Sequence, residues 1–382
     1  MRVALFSDTY LPQVNGVSRT LARLVSHLAA RGDRVALVTP EASERPAPHT
    51  ALHLRLPGIP VPMYPELRLA RFLDRSEATR LEAFAPELVH VCTEFTVGWS
   101  GRAWARRLGL PLVSSFHTDF PAYLAGYGLG GLEAPLWRYL AFFHSASRAT
   151  FCPSRATLGE LRRQGFHDRM SLWLRGVDAS LFSPRRRSER TRRWLAPRAE
   201  RIVLYVGRLA PEKRIDILLS AFQEVRRAIG ERAALVLVGD GPLGPELRRT
   251  SPQGVRFTGY LSGPALAEVY ASADLFVFPS DTETFGNVVL EAMASGLPVV
   301  AADRGGVTES VHTGETGLLV PAGSSEGFAQ ATLTLLTDEP RRAELARGAR
   351  GFARQRTWTR VLDDLRAEYE RILAGSRRAV AA

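Results

Sequence analysis

Lysine is almost missing from this chain of 382 residues: of its 50 lysine and arginine side chains only Lys213 is a lysine. Cysteine is nearly as scarce, with Cys92 and Cys152 alone. Each sits in or beside an apolar, strand-like run, and the two offer neither a disulfide framework nor zinc-type spacing. They read as small buried side chains in a reducing compartment. No stretch carries the roughly eighteen uninterrupted apolar residues of a membrane-spanning helix. Met1–Phe6 reads as a first strand, closed at once by Ser7 and Asp8, and is too short for a signal-peptide core. The expected location is therefore the cytoplasm. The fingerprint G-x-G-x-x-G is absent from the first strand-to-helix loop, which counts against a dehydrogenase.

What is present is an ordinary globular composition, 45% hydrophobic and 23% charged, at a length that suggests two domains. The net charge of +11 favours anionic partners such as nucleotides, nucleic acid or anionic lipid surfaces. No nucleic-acid motif accompanies it, so no nucleic-acid partner is expected. Short apolar strands alternate with helical segments, the signature of a layered α/β fold with parallel sheets. Strands are expected at Arg2–Phe6, Arg34–Val38, Leu88–Val91, Leu112–Phe116 and Ala149–Phe151. After a charged stretch from Arg185 to Glu200, taken as the domain junction, they resume at Ile202–Val206, Ala234–Val238, Val255–Thr258, Leu275–Phe278 and Val299–Ala301. Ligands of such sheets bind at the carboxyl ends of the strands.

Four strand-end loops hold candidate chemistry. Gly207 to Lys213 puts two cations, Arg208 and Lys213, where they could clamp a diphosphate; a compact ammonium serves as a point charge where a guanidinium does not fit. Asp281 to Asn287 opens a helix, whose free N–H groups favour an anion, and Gly286 allows close backbone approach. Glu283 and Glu291 lie eight helical steps apart, about 12 Å along a helix. That is too far for a hydrolase carboxylate pair and suits two ends of an extended ligand. Ser7 to Gly16 could admit a phosphate at a helix start. His117-Thr118-Asp119 follows a strand, and no second histidine at metal spacing joins it. A fifth strand-end turn, Gly239–Pro242, is a weaker signal still.

Together, Gly207-Arg208-Leu209 with Glu212-Lys213, and Glu283-Thr284-Phe285-Gly286 through Glu291 to Val299, resemble the retaining GT-B glycosyltransferases of family four. The resemblance runs over almost the whole chain. It implies two Rossmann-like domains facing across a cleft: residues 1–184 with a returning helix, 358–382, for the acceptor, and residues 185–357 for the nucleotide-sugar donor. Arg208 and Lys213 would hold the donor diphosphate, with Gly207 in the same loop. Glu283 would bind sugar hydroxyls, Phe285, Gly286 and Asn287 would approach sugar and phosphate through backbone, and Glu291 would bind the ribose. His117 would lie against the sugar, Gly16 near the phosphates, and Tyr260 and Leu261 at the base. Asp8, Tyr10, Asp119 and Tyr123 would form the acceptor side. No metal or other cofactor is implied; the nucleotide-diphosphate sugar is a substrate.

Asp8 through Val17, His117-Thr118-Asp119 with Tyr123 and Tyr127-Gly128-Leu129, and Arg175-Gly176-Val177-Asp178 resemble bacterial α-mannosyltransferases that use GDP-mannose. They also resemble sulfoquinovosyl- and glucosyl-diacylglycerol synthases, which use UDP-sugars. A lipid or glycan acceptor follows. Trp104, Arg106, Arg107, Trp137, Arg138 and Phe142 are candidates for an anionic membrane surface, which would make the protein peripheral on the inner face of the cell membrane. A nucleotide-sugar epimerase, a nucleic-acid-binding module and an inactive sugar-nucleotide sensor are the rival readings.

Overall fold

The computed structural model describes residues 1–13, 15–41, 46–61, 64–126 and 128–381. Val14 and Tyr127, both part of the motifs above, lie outside the described residues. The chain divides into two compact units, one of Met1–Thr118, Leu132–Leu174 and Thr359–Ala382, the other of Asp119–Gly131 and Arg175–Trp358.

The first unit is built on β1 (Arg2–Phe6), β2 (Arg34–Pro40), β3 (Leu52–Leu56), a separate antiparallel ribbon of β4 (Gly58–Val61) and β5 (Tyr64–Ala70), then β6 (Leu88–Val91), β7 (Leu112–Ser115), β8 (Ala149–Cys152) and β9 (Met170–Leu172). Apart from the ribbon these form one parallel sheet in the order β3-β2-β1-β6-β7-β8-β9. The closing helix, Trp358–Ala381, returns to this unit from Thr359 on. Charge and aromatic contacts fasten it there. Asp363 accepts from Arg31 at 2.5 Å and lies 2.9 Å from the His27 ring, Arg366 donates to Asp33 at 2.7 Å, and the Tyr369 hydroxyl lies 2.6 Å from His90 Nδ1.

The second unit carries β10 (Arg201–Val206), β11 (Ala233–Val238), β12 (Val255–Gly259), β13 (Leu275–Phe278), β14 (Val299–Ala302) and β15 (Gly317–Val320) in one parallel sheet, ordered β12-β11-β10-β13-β14-β15. Its central strands are apolar along their length because helices cover both faces. All six residues of β11 are buried, and each such Val or Leu contributes about 1.5–3 kcal/mol relative to exposure. In each sheet the strand order reverses once, between β1 and β6 and between β10 and β13. Loops that follow those strands open at the reversal, where ligands of such sheets are held.

The ten expected strands are present. β3, β9 and β15 escaped the sequence reading because short edge strands are only half buried and lack a continuous apolar run. The two compact units divide at Leu174/Arg175, ten residues before the charged stretch. The arginine-rich segment is fixed to the second unit: Arg187 donates to the Ala273 carbonyl at 3.1 Å, Ser188 N to Ser272 Oγ at 3.1 Å, and Arg192 to Asp274 at 2.9 Å.

Candidate functional site

In the second unit the loop after β10 is held from two sides. Leu209 N donates to the Asp240 carbonyl at 2.9 Å, and Leu243 N donates back to the Leu209 carbonyl at 2.9 Å. A methyl on Gly239 would stand 1.9 Å from the Gly207 carbonyl oxygen, so only glycine permits this contact. The Gly239–Pro242 turn, weakest in the sequence reading, therefore braces the loop that carries the cations. From below, the buried Tyr205 stacks on Phe278 at 6.0 Å and donates its hydroxyl to the Arg208 carbonyl at 3.0 Å. Tyr205 gave no sequence signal, since a tyrosine in a buried strand reads as core. Arg208 itself is half-buried at the loop's start.

Lys213 and Glu283 form an ion pair, Nζ to Oε1, although they lie 70 residues apart. Burial alone would lower the lysine's pKa; Glu283 and then the hydroxyls of Tyr123 and Tyr205 outweigh it and hold the ammonium above the usual lysine range. The two loops are further tied because Ser280 and Thr282 donate to the Glu212 carbonyl at 3.1 and 3.3 Å.

Beyond Glu283 the backbone is clamped by Gly306. Its N–H donates to the Glu283 carbonyl at 2.6 Å, and a methyl there would stand 2.0 Å from the Thr284 carbonyl oxygen. Gly286 then takes φ +86° and caps the helix Asn287–Ala294, which has no side-chain cap on its first N–H groups. Phe285 is buried beneath, and Asn287 Oδ1 is buried without a hydrogen-bond partner among the described residues. Glu291, one helix turn on, accepts from the Tyr270 hydroxyl at 3.2 Å. Tyr260 and Leu261 follow β12, beside β11, with Tyr260 exposed. Gly207, Arg208, Lys213, Glu283, Phe285, Gly286, Asn287 and Glu291 thus share one unit.

The remaining candidates lie in other loops. Asp8 is fully buried and accepts from Thr93 Oγ1 at 2.7 Å, Val97 N at 2.8 Å and Phe95 N at 3.2 Å. It thereby supplies the cap that Phe95 cannot give the helix Thr96–Arg107. Burial, opposed by these hydrogen bonds, leaves its carboxyl above the usual range. Tyr10 is also buried, edge-on to His53 at 6.4 Å, and burial pushes its hydroxyl up to about 12. Asp119 and Tyr123 fall in the second unit: Asp119 accepts from Ala122 N at 3.0 Å, and Tyr123 bears on Lys213. Gly16 begins the helix Gly16–Ala30, capped by Asn15, and His117 packs edge-on against Trp173 at 5.2 Å, both in the first unit. Trp104 and Trp137 are buried at 4% and 5% exposure, so they belong to no surface.

Two family profiles match the chain: one described as glycosyl transferases group 1, over residues 200–338, and glycosyltransferase family 4, over residues 14–181. The GDP-mannose-dependent alpha-mannosyltransferase of Mycobacterium tuberculosis (strain CDC 1551 / Oshkosh) is 37% identical over 378 residues, 97% of each chain. Sulfoquinovosyl transferase SQD2 of Arabidopsis thaliana is 32% identical over 96% of this chain and 73% of its own. Among solved structures, sucrose-phosphate synthase from Thermosynechococcus elongatus superposes with a TM-score of 0.80 at 23% identity, covering 98% of this chain and all of that one. The two family profiles and the full-length relative, together with two parallel-sheet units, identify a glycosyltransferase of the GT-B class. Within that class, the chain belongs to glycosyltransferase family 4.

Proposed function

We propose that this enzyme moves mannose from GDP-mannose to a lipid or glycan acceptor, with retention of anomeric configuration and without a metal. The Lys213–Glu283 pair beside the uncapped helix at Gly286 carries the reading. As the sugar departs, negative charge grows on the nucleoside diphosphate. A fixed ammonium, the Arg208 guanidinium and helix N–H groups meet that charge with no reorganisation at the moment of transfer. They do the neutralising work a metal would otherwise supply. Glu283 and Asn287 accept from or donate to sugar hydroxyls, and Glu291 holds the ribose. The donor base is argued from the names of relatives: a GDP-mannose-dependent enzyme at 37% identity favours GDP, while sulfoquinovosyl transferase supports the alternative, a UDP-sugar-dependent glucosyl- or sulfoquinovosyl-diacylglycerol synthase.

Calorimetric titration with GDP and with UDP is the test. GDP is expected to bind more tightly. Preference for UDP moves the assignment to the diacylglycerol-type reading, and binding of neither by folded protein overturns the donor site.

A lipid acceptor calls for attachment at the cytoplasmic face of a membrane. No helix among the described residues is long and apolar enough to cross one. On the first unit, Phe142 and Phe72 are 60% and 61% exposed, and Arg106, Arg107 and Arg138 are exposed as well. The Arg102 guanidinium lies between Trp99 and Phe142, 4.7 and 5.1 Å from their rings. Aromatic anchors with surrounding arginines suit an anionic interface. The protein should co-sediment with anionic liposomes at low salt, and Phe142→Ser should weaken it; a wild-type protein that stays in the supernatant removes this part of the proposal.

A further inference from the structure

A second basic recess lies in the same unit, away from the cation loop. It is an open cavity of about 550 Å³, and four of its eight lining residues are arginines: Arg185, Arg186, Arg350 and Arg354. Arginine makes up roughly one residue in eight of the chain, so a recess of this size would hold about one by composition alone. None of its lining residues is acidic. None of the four guanidiniums takes part in a salt bridge or side-chain hydrogen bond among the described residues. The carboxylates nearby are occupied. Glu268, which feels the charge of Arg186, accepts from Thr191. Asp178 accepts from Ser180 N at 3.1 Å and Ser180 Oγ at 2.5 Å. Counting both Glu268 and Asp178 against the four arginines still leaves about two uncompensated positive charges.

Like charges gathered in excess repel, and solvent offsets this only in part. Guanidiniums on two separate segments, 185–186 and 350–354, converge on one concavity. Each presents a planar fork matched to phosphate oxygens. Ser183 Oγ accepts from Arg185 N at 3.4 Å, which leaves its own proton to donate. The site is distinct from the donor loops. The helix that starts at Asn287 ends at Ala294, on the wall of the recess, about 10 Å further along its axis. The half-unit of negative charge at that helix end is small against about two net positive charges.

We propose that this recess is a second anion site, which binds a small phosphorylated anion of two or more negative charges. The assignment does not depend on the donor-site reading. The test starts from the Arg208→Ala/Lys213→Ala protein, in which the donor loops no longer compete for phosphate. Inorganic pyrophosphate, titrated into it calorimetrically, is expected to bind. Adding Arg350→Ala and Arg354→Ala should weaken that binding about tenfold or more. All four side chains are half-buried or exposed, so the variants should fold. Arg185→Ser with Arg186→Ser, on the other segment, must give the same loss. Equal affinity with and without the recess arginines overturns the proposal, and so does absence of binding to the starting protein. Sedimentation with phosphatidylcholine vesicles containing phosphatidic acid distinguishes the two sources of phosphate. Loss of sedimentation in the recess variants assigns a lipid headgroup, and unchanged sedimentation assigns a soluble phosphate.

Discussion

Lys213→Ala is expected to lower turnover by about a hundredfold or more, the scale on which one preorganised charge donor contributes to a developing oxyanion. The ammonium sits in a pair with Glu283 and keeps its proton across the working range. Its folded pKa is raised, so the stability it contributes is fully present below the unfolded value of 10.5 and is lost only as pH rises through the higher folded value. The rate should therefore show no lysine titration below about pH 10. Alanine also leaves Glu283 without its cation. That costs on the order of 2 kcal/mol, less than for a fully buried pair because both side chains keep some solvent access. A second substitution separates the two effects. Lys213→Ala with Glu283→Gln should recover much of the melting temperature and none of the turnover. Near-normal turnover in folded Lys213→Ala would sink the assigned role.

Gly306→Ala should be nearly as damaging, although residue 306 carries no functional group. Its methyl would stand 2.0 Å from the Thr284 carbonyl oxygen and 2.5 Å from Phe285 N. The backbone between Glu283 and Gly286 must then shift, and with it the carboxylate, the left-handed cap and the first N–H groups of the helix. Overpacking of this kind costs about 1–3 kcal/mol of stability. A displacement near 1 Å in a positioning loop can lower turnover by about a hundredfold. Gly351, in the helix Glu339–Gln355, is the control: a methyl there meets nothing within 4 Å. Gly351→Ala should raise stability by about 0.5–1 kcal/mol and leave turnover alone. Steady-state kinetics and thermal melts of the two variants check this. Wild-type rates in Gly306→Ala would mean that the loop does not need its present backbone path.

The buried strands were legible because their signal is local. Ile202–Val206 and Ala234–Val238 are continuous apolar runs bounded by glycine or charge, and a parallel sheet covered on both faces demands that pattern. The loops after those strands could be marked in advance, since strand ends are where such sheets hold ligands. Lys213, conspicuous in an arginine-rich chain, and the Glu283–Glu291 spacing were visible for the same reason: each is a property of residue type and short-range position.

Other facts needed the folded chain. Asp8 looks like a polar residue on a ligand loop, yet its carboxylate is consumed by N–H and hydroxyl donors 85 to 90 positions away. The segment 119–131 follows a strand of the first unit but packs with the second, where Tyr123 bears on Lys213. Tyr205, Gly239 and Gly306 matter through close contacts with backbone from other loops, which no periodicity records. By itself the sequence determined two parallel sheets and the loops that carry cations and carboxylates, because burial imposes its pattern on consecutive residues. Only the tertiary structure decided that Lys213 meets Glu283, because that contact depends on β10 lying beside β13, a choice of neighbour made between segments some 70 residues apart.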